Sequence, residues 1–123
     1  MGNAPGLIES WSWPKSLDAL IAAPDHHKLL LENDEVRVLE VRIPAGAKVP
    51  LHTHCWSSVL YVMQWADIIR RDEHGNQVLD TRRMDPEAKK PGTSWCAPYP
   101  PHSVENVDTK DFLGIAVELK TVL

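Results

Sequence analysis

The sequence predicts an all-β domain, an antiparallel sandwich or barrel with a short helix and an arm at its N-terminal end. Three observations carry that prediction. The chain has 123 residues, 43% of them hydrophobic and 24% charged, which suits one globular domain of roughly 100–150 residues. Runs rich in β-branched residues recur at spacings of about ten residues. Turn-forming clusters stand between them: Asn33-Asp34, Pro44-Ala45-Gly46, Gly75-Asn76 and Pro91-Gly92.

Taken in order, residues 1–15 are rich in Pro, Gly and Ser and contain Trp11 and Trp13, which reads as an arm resting on the domain or on a neighbouring subunit. Ser16 is placed to cap a short helix, with Leu17, Leu20 and Ile21 on one face. Pro24 ends it, because proline disfavours helical geometry in the residue before it. So short a helix cannot stand alone in water and must dock. Strand signals begin at His26 and follow at 36–43, 49–54, 59–71 and 77–83. Further strands are expected at 94–97, 103–107 and 112–119, seven or eight in all. The domain division that follows is an arm and helix over 1–26 and a barrel over 27–123.

Composition excludes several function classes. Two cysteines cannot build a disulfide framework or a four-thiolate zinc site, so a reducing compartment is the default. A net charge of −4 gives no basic excess for nucleic acid. The longest apolar run, Val59 to Met63, is too short to span a bilayer. The first residues lack the basic and apolar regions of a signal peptide. The expectation is a cytoplasmic protein with neither nucleic-acid nor membrane partners.

Chemistry concentrates at three of the six histidines. His52 and His54 are two apart in a strand, so both imidazoles point to the same face. His102 follows the cluster Pro98-Tyr99-Pro100-Pro101, whose prolines stiffen its approach. Imidazole suits Fe, Ni, Cu and Zn alike. His26, His27 and His74 read as surface residues, in a linker and at a hairpin tip.

Gly46 with five residues before His52, then one before His54, resembles the first cupin motif. His102 with three residues before Asn106, preceded by Gly92 and Pro98, resembles the second. The resemblance covers roughly residues 27–120. The Asp72–Gly75 turn and the closing Ala116–Lys120 segment also resemble small stand-alone bacterial cupins without an assigned reaction. It implies a double-stranded β-helix, the cupin jelly-roll barrel, with a metal in its mouth. The implied ligands are His52, His54 and His102. The implied cofactor is a divalent transition metal: Fe, Ni, Zn, Cu or Mn. Cupins also pair subunits through exposed sheet edges, so the resemblance implies a homodimer.

The motif departs from the family pattern at Ser58, where the glutamate ligand belongs, and at Trp65 and Tyr99, where glycines belong. Loss of the glutamate leaves a neutral histidine triad, so a divalent metal would keep its full charge and favour a small anionic ligand. Three-histidine cupin sites serve thiol and diketone dioxygenases, so the expected function is a metal-dependent dioxygenase or isomerase acting on a small anionic molecule. The alternative is a non-catalytic small-molecule-binding or regulatory cupin without native metal.

Several neighbours complete the expectation. Ser58, Leu60, Val62 and Gln64 share strand parity and are expected to line the pocket, with Trp56 and Trp95 as apolar walls. Asn106 is expected to brace the loop behind His102 and so orient it. Cys55 and Cys96 read as structural thiols. Arg70, Arg71, Arg82 and Arg83 interleave with Asp67, Asp72, Asp80 and Asp85, which reads as a neutral, solvated ribbon.

Overall fold

A computed structural model describes residues 11–120 as nine strands and short helical turns. The expected N-terminal helix is α1, Ala19–Ala22, preceded by a 3-10 turn over Lys15–Leu17. Its cap is Asp18 rather than Ser16: the Asp18 carboxylate accepts from the Leu20 N–H at 3.1 Å. Of the expected Leu/Ile stripe, Leu17 and Leu20 are half-buried, but the fully buried face is alanine. Ala19 and Ala23 are fully buried, whereas Ile21 is 61% exposed. Small side chains let this segment sit close to the barrel, where Asp18 bridges to Thr53. Trp11 and Trp13 pack edge-to-face at 4.7 Å; the rest of the expected arm, residues 1–10, lies outside the described residues.

The strands are β1 (His27–Glu32), β2 (Val36–Ile43), β3 (Lys48–His54), β4 (Ser58–Gln64), β5 (Ile68–Asp72), β6 (Gln77–Asp80), β7 (Gly92–Cys96), β8 (Tyr99–Asn106) and β9 (Phe112–Leu119). They form two antiparallel sheets, of order β1-β2-β9-β4-β7 and β3-β8-β5-β6. Between the sheets lies a core of Ile43, Val49, Val62, Ala66, Val104 and Phe112. Five of these residues come one each from β2, β3, β4, β8 and β9, and Ala66 from the break between β4 and β5.

Three expectations change. The 59–71 run is two strands, broken at Trp65-Ala66-Asp67. No glycine or proline marks the break. It is made by side chains from elsewhere, with Asp108 accepting from the Asp67 N–H and Thr81 from the Ile68 N–H. The 77–83 run ends as a strand at Asp80 and continues as a 3-10 turn. The last sheet-forming run before β9 begins inside the proline cluster, at Tyr99, and not at Ser103. The hairpin at Gly75-Asn76 is present, with Gly75 at φ 85° and Asp72 accepting from the N–H groups of His74 and Asn76. No helix among the described residues is long and apolar enough to cross a membrane.

Candidate metal centre

The barrel holds an open-mouthed cavity of about 140 Å³. His52 and His54 are two residues apart on β3, and His52 is the direct cross-strand partner of His102 on β8. The His52 ring lies 4.3 Å from that of His102 and 4.9 Å from that of His54; His54 and His102 are 5.5 Å apart. A fourth imidazole joins them. His27, read from sequence as a surface residue, is 5% exposed and sits 4.9 Å from His52 and 5.5 Å from His54. The turn after α1 makes His27 the first residue of β1 and carries its ring inward. His27, His52 and His54 offer ligand atoms within 4.8 Å of one another, a cluster that could hold a metal ion. Of the other histidines read as surface, His74 is exposed and His26 is partly buried against the Arg42 carbonyl.

Hydrogen bonds set the tautomer of each ring. Nδ1 of His52 donates to the Pro50 carbonyl at 2.8 Å, and Nδ1 of His102 to the Pro100 carbonyl at 2.7 Å. Nδ1 of His27 donates to the Ala23 carbonyl at 2.9 Å, and Nδ1 of His54 faces Oε2 of Glu118 at 3.4 Å. Carbonyls and carboxylates only accept, so each Nδ1 carries the proton and each Nε2 keeps a free lone pair. An imidazole with a bound Nδ1–H and a free Nε2 is a donor that divalent Fe, Ni, Cu and Zn accept, and the three whose ligand atoms converge most closely are His27, His52 and His54 rather than the expected set with His102.

Burial reinforces the neutral state. It pushes His27 down to about 4, His52 to about 2 and His102 to about 3. The neighbouring imidazoles add to that effect, and the hydrogen bonds to backbone carbonyls oppose it.

The negative charge missing at Ser58 is supplied from the next strand. Glu118 on β9 pairs with Ser58 on one side and with Arg37 of β2 on the other. It is 1% exposed. Burial opposes its ionisation, but hydrogen bonds from His54 and Arg37 outweigh that and hold the carboxyl below the usual range. Arg37 donates its Nε–H to Glu118 and both Nη groups to Asp18, at 3.0 and 2.9 Å. The site is therefore not the isolated neutral triad expected from the motif. A chain of ion pairs and hydrogen bonds, Asp18–Arg37–Glu118–His54, buried at its two central members, runs from the cap of α1 to a site histidine.

The other expected residues divide. Ser58 and Leu60 line the cavity, while Val62 lies in the core. Gln64 is turned away by a register irregularity between Val62 and Gln64, and its amide donates to the Asp111 carbonyl at 2.7 Å. Trp56 covers Arg37, with Cζ 5.0 Å from its ring, and Trp95 is 58% exposed on the outside of β7. Asn106 is buried but does not touch His102. Its amide donates to the Ile43 and Lys110 carbonyls and its Oδ1 accepts from Asp108, closing the β8–β9 loop. The group orienting His102 is the Pro100 carbonyl. Cys96 lines the cavity opposite Ser58, whereas Cys55 is half-buried, with its thiol pushed up by burial. Arg70 leaves the expected ribbon and faces the cavity, while Arg71 pairs with Glu105 and Arg82 with Asp80. His27, Arg70 and Glu118 were missed because none belongs to the histidine motif: His27 follows a turn beside His26, Arg70 sits in an Arg/Asp-rich hairpin, and Glu118 lies in the last strand.

Neither a family model nor a curated protein matches the sequence. Solved structures do match. A cupin domain from Bordetella pertussis aligns over 77% of this chain and 92% of its own, with TM-score 0.59 and 19% identity. An RmlC-like cupin with a double-stranded β-helix from Methanocaldococcus jannaschii aligns over 76% and 77%, with TM-score 0.55 and 12% identity. A polyketide cyclase from Streptomyces resistomycificus aligns over 76% of this chain and 63% of its own, with TM-score 0.51 and 14% identity. At these identities the likeness concerns architecture, and the two antiparallel sheets closed around a histidine-lined cavity are those of the cupin fold, the double-stranded β-helix.

Proposed function

We propose that this cupin-fold protein holds a divalent transition metal through Nε2 of His52, His54 and His102, with His27 as a fourth donor. The reading extends to a metal-dependent oxidation, dioxygenase-like, or an isomerisation of a small anionic molecule. One observation carries it: every cavity imidazole has its Nδ1 engaged by an acceptor and its Nε2 free. A bound metal would supply Lewis acidity and a template for substrate. The chain's own residues hold the imidazoles in place, with Pro50, Pro100 and Ala23 carbonyls fixing three and Glu118 the fourth. Ile43, Leu60 and Phe112 give the cavity apolar walls. Metal analysis of protein purified without chelator tests the reading. About one equivalent of one transition metal is expected; less than about 0.1 equivalent, with no uptake on reconstitution, would overturn it.

A second reading, binding without catalysis, is favoured by one observation. Glu118 is the carboxylate lining the cavity among the described residues, and both its oxygens are engaged, by Arg37 and His54. This reading expects no turnover with any metal and a ligand affinity unchanged in His102→Ala. The homodimer that the family resemblance implies also belongs here. Its support is the apolar surface of Leu31, Val59, Tyr61 and Trp95 exposed on the larger sheet, and light scattering decides it.

A further inference from the structure

The chain has six arginines, and five of them pair with carboxylates. Arg37 pairs with Asp18 and Glu118, Arg42 with Glu40 and Asp111, Arg71 with Glu105, and Arg82 and Arg83 with Asp80. Arg70 has no carboxylate partner among the described residues, yet it is the one that lines the cavity beside the histidines. Its Nε is buried with no hydrogen-bond acceptor. Its Nη1 donates to the Tyr99 hydroxyl at 3.2 Å, and its Cζ stands 4.5 Å from the Tyr99 ring centre. The Tyr99 ring lies in turn 4.4 Å from that of His102.

We propose that Arg70, held by Tyr99, is the receiving group for the carboxylate of a small acid bound in the cavity. With Nη1 engaged by Tyr99, the edge of the guanidinium left without a partner is the Nε side, whose two parallel N–H vectors match a carboxylate once the side chain turns that edge to the ligand. The ring beneath the guanidinium fixes its plane by cation–π contact. An unpaired buried N–H is costly, and a ligand carboxylate removes that cost while neutralising the cation. One guanidinium matches a monoanion, and among the described residues no second unpaired Arg or Lys lines the cavity to match a phosphate dianion. The space then limits the rest of the ligand. A cavity of about 140 Å³ is close to the roughly 150 Å³ that admits benzene, and its walls, including Val49, Ile68 and Phe112, are apolar. The ligand class is a compact monocarboxylic acid with an apolar body of about six carbons. The inference rests on the reading of this cavity as a small-molecule site, but not on the metal.

Calorimetric titration with benzoate, benzamide and inorganic phosphate tests it, on wild type, Arg70→Met and Arg70→Lys. Each protein is titrated as purified and after chelation, with metal content measured on the same samples. Benzoate is expected to bind wild type saturably and to weaken by about tenfold to a hundredfold in Arg70→Met. Arg70→Lys, which keeps the charge and loses the fork, falls between, and it carries the comparison if Arg70→Met does not fold. Benzamide, of the same shape without the charge, binds at least about tenfold more weakly and is indifferent to position 70. The proposal is overturned by equal benzoate affinity in wild type and the variants, or by benzamide or phosphate binding as tightly as benzoate. Absence of saturable benzoate binding to wild type up to about 10 mM overturns it as well. Arg70-dependent benzoate binding by protein that takes up no metal rejects the metal reading alone; a metal-loaded protein whose benzoate affinity ignores position 70 rejects this inference alone.

Discussion

Glu118 spends one carboxylate oxygen on Arg37 and the other on His54, so it fixes the ring of a proposed ligand without itself being the residue the motif specifies. Partners of this kind typically matter about 10–100-fold in metal affinity. Glu118→Gln is therefore expected to weaken metal binding by that factor, measured by competition with a chromophoric chelator. Loss of a proposed ligand, as in His52→Ala, should weaken it further than Glu118→Gln does. At this scale much of the site was legible. The pair His52 and His54 follows from strand alternation alone, and Pro50 and Pro100, each two residues before a histidine, supply the carbonyls that orient His52 and His102. His27 was not legible, because a histidine beside a turn reads as solvated until the turn's direction is known.

The elements show how a peripheral helix is tied to the centre. The carboxylate of Asp18 caps α1 and also pairs with buried Arg37, which is 6% exposed. Asp18→Ala removes both interactions and is expected to destabilise by about 2–3 kcal/mol in denaturant unfolding. That is below the roughly 3–5 kcal/mol of a stranded buried charge, because Glu118 still pairs with the guanidinium. The turn between β2 and β3 depends on Gly46, at φ 77°. Gly46→Ala is expected to cost about 1 kcal/mol, since a Cβ in left-handed geometry crowds the following carbonyl; the shift of the urea midpoint measures it. The strands with clear β-branched periodicity, β2, β3 and β9, were readable in advance. The break between β4 and β5 was not, since Asp108 and Thr81 impose it from distant parts of the chain.

For the whole molecule, the buried histidines set a pH dependence. Below about 6.5 the unfolded chain protonates His27, His52 and His102, while the metal-free fold holds them neutral down to about 4, 2 and 3. The unfolded state then binds more protons, so stability rises with pH and is lost as pH falls from about 6.5 toward 4. Each such histidine contributes up to about 1.4 kcal/mol per pH unit. Metal-free protein is thus expected to lose about 4 kcal/mol between pH 7.5 and 5.5, read from urea midpoints; a flat profile over that range would contradict burial of the three rings.

Residue order by itself determined what is local: the strand runs, the turn at Gly75, the shared face of His52 and His54, and the stiffened approach to His102. Alternation fixes which face a side chain takes, but not which strand lies beside it. Only closure of the barrel decided that, by setting β9 between β2 and β4 and thereby joining Glu118 to Arg37 and Ser58. The same closure turned Arg70 from an apparent member of a solvated ribbon into a cation facing the cavity. A charge that is paired or unpaired is a property of three-dimensional neighbours, and those neighbours lie tens of residues away along the chain.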